Sequence, residues 1–398
     1  MKKVFSFLIA YHLWFIACIA QGVWTQKADF AGGIRNIAVG FSIGTKGYIG
    51  IGDSASSNHK KDFWEYNPAM DSWTQKTDFG GGARIWAVGF SIGNKGYIGT
   101  GTGNSGIKKD FWEYNPITDA WTQKADFGGT PRYFAVGFSI GINGYIGTGR
   151  DTTGNYQTDF WEYDQSNNIW SQKSSFPGSA RGPAVGFSIG NRGYIGTGND
   201  AVVGPTKDFW EYDPANDTWT QKASLPSSRC AATGFTINNN GYIGTGVDSI
   251  GNGTNTFWKY DTLNNAWTQQ SSFGGSARQF AVSFSIGAKG YIGTGGITKD
   301  FWEFDPSANG VNELESKISV SVYPNPTSGK FTLDCKSMNG EISVYTIEGE
   351  KLFSQEIQKE KTEINLNQQQ NGIYFLQVSI PSGKIKSEKK ITKKIIKE

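Results

Sequence analysis

Short stretches that mix apolar, aromatic and glycine residues recur along the chain, and Gly-rich or Asn-Pro turns separate them. In one copy they read AVGFSI (residues 87–92), GYIGTG (96–101), DFWEY (110–114) and WTQK (121–124). Runs this short, rich in aromatic and β-branched residues and bounded by turn residues, favour strands over helices. The pattern therefore predicts units of four short antiparallel strands.

The units repeat with a nearly constant period. Copies of three landmarks lie 48 or 49 residues apart, except that the last FW pair comes a few residues early. The WTQ-type tryptophans are Trp24, Trp73, Trp121, Trp170, Trp219 and Trp267. The arginines before the first strand are Arg35, Arg84, Arg132, Arg181, Arg229 and Arg278. The FW pairs begin at Phe63, Phe111, Phe160, Phe209, Phe257 and Phe301. A period of this length is typical of repeat architectures such as propellers.

The order of the landmarks predicts how the repeats close. The first repeat segment, residues 23–27, is a lone fourth strand, and the last, residues 301–304, is a lone third strand. Pairing the two would complete the last unit and remove an open sheet edge. We therefore predict an all-β fold in which residues 21–306 form a six-bladed β-propeller closed by its N-terminal strand.

The succession of Arg, apolar strand, GYIGTG, DFWEYNP and WTQK resembles the kelch repeat from Gly22 to Pro306. The sequence departs from that family by ending its second strand in GTG rather than a double glycine in most units. The resemblance implies a kelch-type propeller, a fold in which an arginine at this position often lines a pocket. Some kelch propellers are sialic-acid mutarotases or epimerases that need no metal.

The blades differ most in the loops between the second and third strands and just after each arginine, which a propeller places on one face. Nearly identical units that diverge there indicate a recognition surface, although drift in unconstrained loops would give the same pattern. The arginines have two readings, because they could tie neighbouring loops together or bind a ligand beside aromatic rings. The candidate ligand-binding residues are Arg35, Arg84, Trp86, Arg132, Tyr133, Phe134, Arg181, Arg229, Arg278 and Phe280.

Composition restricts the chemistry. The chain has only two histidines: His12 would leave with a cleaved N-terminal signal, and His59 lies alone in a polar loop, where we expect it to be solvated. A Ser-His-Asp triad therefore has little support, and a His-based metal site or a copper site of the galactose oxidase kind lacks its ligands. We therefore expect no catalytic residue, no metal and no cofactor. The net charge of +3 comes from the two ends, and nothing in it indicates nucleic acid as a partner. The aspartates that precede the FW pairs repeat, which favours a structural role over weak calcium binding.

The first 20 residues have a basic start, an apolar run and small residues near Ala20, the pattern of a signal peptide. A membrane anchor and a lipidated Cys18 are the alternatives. Cys230 and Cys335 fall in different predicted domains, so we expect no disulfide.

After a polar linker at residues 307–316, residues 317–398 alternate like the strands of a small Ig-like β-sandwich. The segments YPNPTSG and NGIYFLQV and the basic end resemble the C-terminal sorting domain of type IX secretion cargo. The alternative is a plain Ig-like accessory domain. The sorting motif residues are Tyr323, Pro324, Asn325, Pro326, Gly329, Asn371, Gly372 and Tyr374. The resemblance implies a Gram-negative cell, the type IX machinery as partner, and a secreted or outer-membrane surface location.

Three functions fit these features. The first is a monomeric surface or secreted protein whose variable face binds a glycan or a protein. The second is a metal-independent sugar-modifying enzyme, which would need a carboxylate of raised pKa in the pocket. The third is a surface scaffold, whose channel would be closed by apolar side chains. Contact with a membrane is expected only through export or surface attachment.

Overall fold

The computed structural model describes residues 22–54, 58–308, 320–335, 340–357, 359–381 and 388–398, and the chain divides into two compact units, residues 1–310 and 311–398. The described residues form strands and turns without a helix, and none of them builds a helix long and apolar enough to cross a membrane. The predicted signal peptide, residues 1–20, and most of the predicted linker, residues 307–316, lie outside the described residues.

The described part of the first unit contains six four-stranded antiparallel sheets. Their first strands are Val39–Ile43, Val88–Ile92, Val136–Ile140, Val185–Ile189, Thr233–Ile237 and Val282–Ile286. Their second strands are Lys46–Gly50, Lys95–Gly99, Asn143–Gly147, Arg192–Gly196, Asn240–Gly244 and Lys289–Gly293. Their third strands are Phe63–Asn67, Phe111–Asn115, Phe160–Asp164, Phe209–Asp213, Phe257–Asp261 and Phe301–Asp305. Their fourth strands are Ser72–Lys76, Ala120–Lys124, Ile169–Lys173, Thr218–Lys222, Ala266–Gln269 and Val23–Lys27.

The first strands of successive sheets pack side by side, and that of the last sheet packs against that of the first. The N-terminal strand Val23–Lys27 runs antiparallel to Phe301–Asp305, with Val23 opposite Asp305. The sheets are therefore the blades of a propeller, as the repeat predicted. We number them from blade 1, which holds Val39–Ile43, to blade 6, which holds Val282–Ile286.

Aromatic side chains pack between the blades. Trp121 of blade 2 meets Phe63 of blade 1 edge to face, with 5.0 Å between ring centroids, and the other blades repeat this contact. Phe41 lies so close to Gly96 of the next blade that a Cβ there would come within 2.4 Å of its ring. The repeated glycine at the start of the second strand is thus required by a neighbouring ring.

A buried arginine fixes the top of each blade, the end that carries the loops between second and third strands. Arg84 forms two hydrogen bonds with the carboxylate of Asp110, at 2.6 and 2.8 Å, and also donates to the carbonyl of Thr100. Its guanidinium lies 4.9 Å from the ring centroid of Phe79. The same carboxylate accepts a hydrogen bond from Trp112 Nε1. The equivalent pairs are Arg35–Asp62, Arg132–Asp159, Arg181–Asp208 and Arg278–Asp300.

The backbone of each arginine joins its blade to the one before. The amide of Gly52, in the loop after the second strand of blade 1, donates to the carbonyl of Arg84 in blade 2 at 2.9 Å. The contact recurs at every junction, and Gly295 of blade 6 donates to Arg35 of blade 1 at 2.8 Å. Gly52 has a φ of +91°, and a Cβ on it would meet the backbone of Asn36 at 2.7 Å. The last glycine of the GTG motif is therefore a blade-to-blade contact.

Blade 5 lacks the carboxylate. Thr256 stands where the other blades have aspartate, so Arg229 donates to the Thr256 hydroxyl, and Trp258 Nε1 is buried without a partner. Leu225 also replaces the phenylalanine that lies under the other arginines. Burial without a counter-ion lowers the pKa of Arg229 to about 10.

The second unit is a β-sandwich. One sheet consists of Val320–Tyr323, Lys330–Cys335 and Lys361–Asn365. The other consists of Lys351–Glu356, Glu341–Thr346, Gly372–Pro381 and Glu388–Lys397, in that order. Leu333 of the first sheet and Val344 and Leu376 of the second are fully buried in one shared core. Gly329, between the first two strands, has a φ of +126°, and a Cβ on it would fall 2.1 Å from Asn367 Oδ1.

Changing Thr256 to Asp should stabilise the propeller. The new carboxylate would pair with Arg229 and accept from Trp258, and charge-assisted hydrogen bonds of this kind contribute about 1.5–3 kcal/mol. The measurement is the thermal unfolding midpoint of the full chain. The reverse exchange in blade 2, Asp110→Thr, serves as control and should lower the midpoint. A midpoint that falls in Thr256→Asp would contradict the role given to the carboxylate.

Changing Gly329 to Ala should destabilise the sandwich by about 1–3 kcal/mol, because the left-handed backbone is strained for alanine and its methyl collides with Asn367. Hydrogen exchange of strand Lys330–Cys335 in the full chain measures the effect without interference from the propeller. Gly349→Ala is the matched control, since Gly349 also has a positive φ, +88°, but no atom within 4 Å of the added Cβ. Equal protection losses in both variants would show that the collision contributes nothing.

Candidate functional site

The side chains of the six predicted arginines are enclosed in their blades, although Arg35 borders a cavity of about 350 Å³ together with Lys60 and Asp62. Arg35, Arg84, Arg132, Arg181, Arg229 and Arg278 are each at most 3% exposed. Five bind an aspartate, and all six donate to a carbonyl of their own blade, so few donors remain for a ligand. Their side chains therefore tie loops together, as one of the two readings expects, and contact between these arginines and a ligand stays a prediction.

The residues two positions after each arginine surround the mouth of the propeller channel: Ile37, Trp86, Phe134, Pro183, Ala231 and Phe280. Their backbones are linked, since the amide of Phe134 donates to the carbonyl of Trp86 and that of Phe280 to Ala231. All except Pro183 have a left-handed φ between 50° and 60°. Bulky residues rarely adopt this conformation, and such strain is concentrated at functional positions.

Four predicted residues, Trp86, Tyr133, Phe134 and Phe280, come together as one aromatic cluster at this mouth. Trp86 lies 5.3 Å from Tyr133 and 4.7 Å from Phe134, measured between ring centroids. Phe134 and Phe280 precede blades 3 and 6, opposite positions in the ring, yet their rings stack at 5.9 Å. All four are half-buried, so part of each ring faces solvent. The aromatic cluster therefore spans the mouth and presents apolar faces outward.

A channel of about 210 Å³ lies along the axis. Its wall is formed by the inner edges of the six first strands. Each edge carries small residues, such as Ala38 and Gly40 in blade 1 and Ala87 and Gly89 in blade 2. Because these strands are sheet edges, their unpaired backbone groups make the wall polar. The aromatic cluster thus separates a narrow polar channel from the variable face.

On the same face, short strand pairs place side chains in cross-strand rows. In blade 3 the row is Tyr133, Arg150 and Tyr156, paired in that order. The corresponding rows of blades 1, 2, 4 and 5 are Asn36–Asp53–His59, Ile85–Thr102–Ile107, Gly182–Asn199–Pro205 and Cys230–Val247–Gly253. The side chains of these rows therefore differ in polarity and charge from blade to blade, although the four strands of each blade repeat.

Arg150 and Tyr156 are site residues that the sequence analysis overlooked. The guanidinium of Arg150 lies 5.6 Å from the ring centroid of Tyr156, and its Nε donates to the carbonyl of Gly154 at 2.6 Å. The sequence does carry a signal that could have indicated Arg150, because only blade 3 has an arginine directly after the GTG motif.

Several polar side-chain atoms near this face are buried without a hydrogen-bond partner among the described residues. They include Trp86 Nε1, Asn36 Oδ1 and His59 Nδ1. His59 is half-buried, whereas its polar surroundings in the sequence indicate a solvated side chain. Among the described residues, no group of three or more His, Cys, Asp or Glu side chains is arranged to hold a metal ion.

Carboxylates near the arginines are stabilised as anions. Burial acts to raise the pKa of Asp110, but the hydrogen bonds and charge of Arg84 outweigh it and hold that pKa below its usual value. The same balance lowers the pKa of Asp208 beside Arg181 and of Asp300 beside Arg278.

The predicted sorting motif residues flank the last strand of the second unit. On one side, Asn325 pairs with this strand through its side chain, donating to the carbonyl of Lys394 at 2.7 Å and accepting from the amide of Ile396 at 2.9 Å. On the other side, Gly372 and Tyr374 lie in the neighbouring strand, opposite Lys397 and Ile395. Tyr323, Pro324 and Pro326 are exposed around Asn325, as is Asn371 before Gly372.

The comparisons with known proteins agree with both units. Residues 321–398 match the family described as secretion system C-terminal sorting domain. A solved structure titled "Structure of YjhT" is similar with a TM-score of 0.60 and 16% identity, over 70% of this chain and 95% of that one. At this identity the similarity concerns the fold alone. No curated protein matches the chain. The chain thus has the fold of a β-propeller over its first unit, and its residues 321–398 match a secretion system C-terminal sorting domain.

Proposed function

We propose that this protein is a secreted or cell-surface binding protein whose propeller recognises a glycan through the aromatic cluster. The sorting domain supports secretion and implies contact with the type IX secretion machinery. The propeller would then be the part that acts outside the cell. Its ligand would lie across Trp86, Tyr133, Phe134 and Phe280 on the variable face.

The aromatic cluster is the observation that carries this proposal. Sugar rings expose apolar C–H faces, which pack well against aromatic rings, while their hydroxyl groups bind polar neighbours. Tyr133 and Tyr156 offer hydroxyl groups beside the apolar faces, and Trp86 Nε1 has no hydrogen-bond partner in the part of the chain that the structure describes. A left-handed backbone holds three of the cluster residues in place, so little ordering is needed on binding.

The structure gives less support to the other two functions. A metal-independent sugar-modifying enzyme would use the arginines and a carboxylate of raised pKa, but the arginines are enclosed and the pKa values of Asp110, Asp208 and Asp300 are lowered. A scaffold would close its channel with apolar side chains, as the aromatic cluster does, but would not need rings that remain half-exposed. Binding measurements separate these functions.

A glycan-array screen of the full chain tests the proposal. Trp86→Ala should weaken binding about tenfold, because one ring contact is worth about 1.4 kcal/mol. Ile117→Ala is the control, since Ile117 is 83% exposed in a turn between third and fourth strands, away from the variable face. Failure of the full chain to bind any glycan would refute the glycan proposal, and a surface pull-down would then test for a protein partner.

A further inference from the structure

The eight arginines of the chain all lie in described residues, and six of them are paired with aspartate. The two others are Arg229 and Arg150. Arg229 is 1% exposed and points into blade 5, so it is closed to any large ligand. Arg150 is half-buried on the variable face and forms no ion pair with a described residue. It is therefore the arginine whose charge is available from outside.

Arg150 is held rather than free to move. Its Nε donates to the carbonyl of Gly154, and its guanidinium lies over the ring of Tyr156. Both Nη groups have no acceptor among the described residues. Tyr156 is itself fixed, because its hydroxyl accepts a hydrogen bond from Asn199 at 3.4 Å. A guanidinium fixed by its Nε and its face presents its two Nη donors in the fork that binds a carboxylate or sulfate.

The same residues connect Arg150 to the aromatic cluster. Tyr133 is the cross-strand neighbour of Arg150 and packs against Trp86. Gly182 of blade 4 makes room for the arrangement, since a Cβ there would approach Phe134 Cβ to 2.9 Å and Tyr156 Cε1 to 3.2 Å. The charge and the apolar faces therefore form one continuous surface.

The other blades place no positive charge at this register. The equivalents of Arg150 are Asp53, Thr102, Asn199, Val247 and Gly296. At this register there is thus a cation over blade 3 and the acidic Asp53 over blade 1. An acidic ligand would be oriented toward blade 3 by this difference.

We propose that Arg150 makes the site selective for acidic glycans, with a sugar ring on Tyr133 and Trp86 and its carboxylate or sulfate on the Nη groups of Arg150. This inference rests on the proposed glycan-binding function. It names the class of ligand and adds Arg150 and Tyr156 to the binding residues. Carboxylated and sulfated sugars share the chemistry that a guanidinium recognises, so both belong to the test.

The experiment measures binding of the full chain to two pairs of polysaccharides at low salt. Polygalacturonate is compared with its methyl ester, which removes the carboxylate charge, and carrageenan with agarose, which lacks the sulfate. We expect at least tenfold tighter binding to one acidic member than to its neutral partner. Arg150→Gln should abolish that preference while keeping the binding of the neutral polysaccharide. Arg192→Gln is the matched control, because it removes the same charge from an arginine paired with Asp213.

The outcomes separate this inference from the function it rests on. Equal binding of the acidic and neutral members would overturn the selectivity but leave glycan binding intact. A preference that survives in Arg150→Gln, or that falls equally in Arg192→Gln, would overturn the role of Arg150. No binding to any of the four polysaccharides would refute the proposed function together with the inference. Thermal midpoints of all variants show whether each remains folded.

Discussion

The buried pairing of arginine with aspartate is the interaction on which the rest of the propeller depends. Removing a buried guanidinium from water is costly, and in five of the six blades a carboxylate and further acceptors offset this cost. Here each pair joins the start of the third strand to the loop before the first. The backbone carbonyl of the same arginine accepts a hydrogen bond from a glycine amide of the preceding blade. One side chain and its backbone thus set both the geometry within a blade and the junction between blades.

Because these contacts lie within the blades and at their junctions, the loops of the variable face can differ in sequence from one blade to the next. The repeated tryptophans and the glycines at the start of the second strands pack between blades, where a neighbouring ring restricts replacement. The cross-strand rows lie in the loops of the variable face, outside these contacts. They can therefore change from Asn–Asp–His to Tyr–Arg–Tyr between blades without disturbing the ring. A rigid scaffold with independent surface positions is a suitable basis for recognition.

The repeat period was sufficient to predict a propeller and the pairing of its two ends, and the alternation in residues 317–398 was sufficient to predict the sandwich that follows. The sequence was not sufficient to decide what the six arginines do, because an arginine just before a strand can have either a buried or an exposed side chain. The repeated aspartates held the answer, since in five blades an aspartate that follows the arginine by 22–27 residues is its natural partner. Arg150 was overlooked for a related reason. It lies beside the GTG motif in a loop where differences between blades resemble drift, and only strand pairing shows that it shares a row with Tyr133.

The join between strand Val23–Lys27 and strand Phe301–Asp305 governs the order in which the molecule can fold. This contact spans almost the whole propeller, so it carries a large entropy of loop closure and cannot form until the last blade has been made. Until then blade 6 lacks its outer strand and the first strand has no sheet to join. Until the whole repeat region has been made, the propeller thus remains an open ring with unpaired strand edges at both ends.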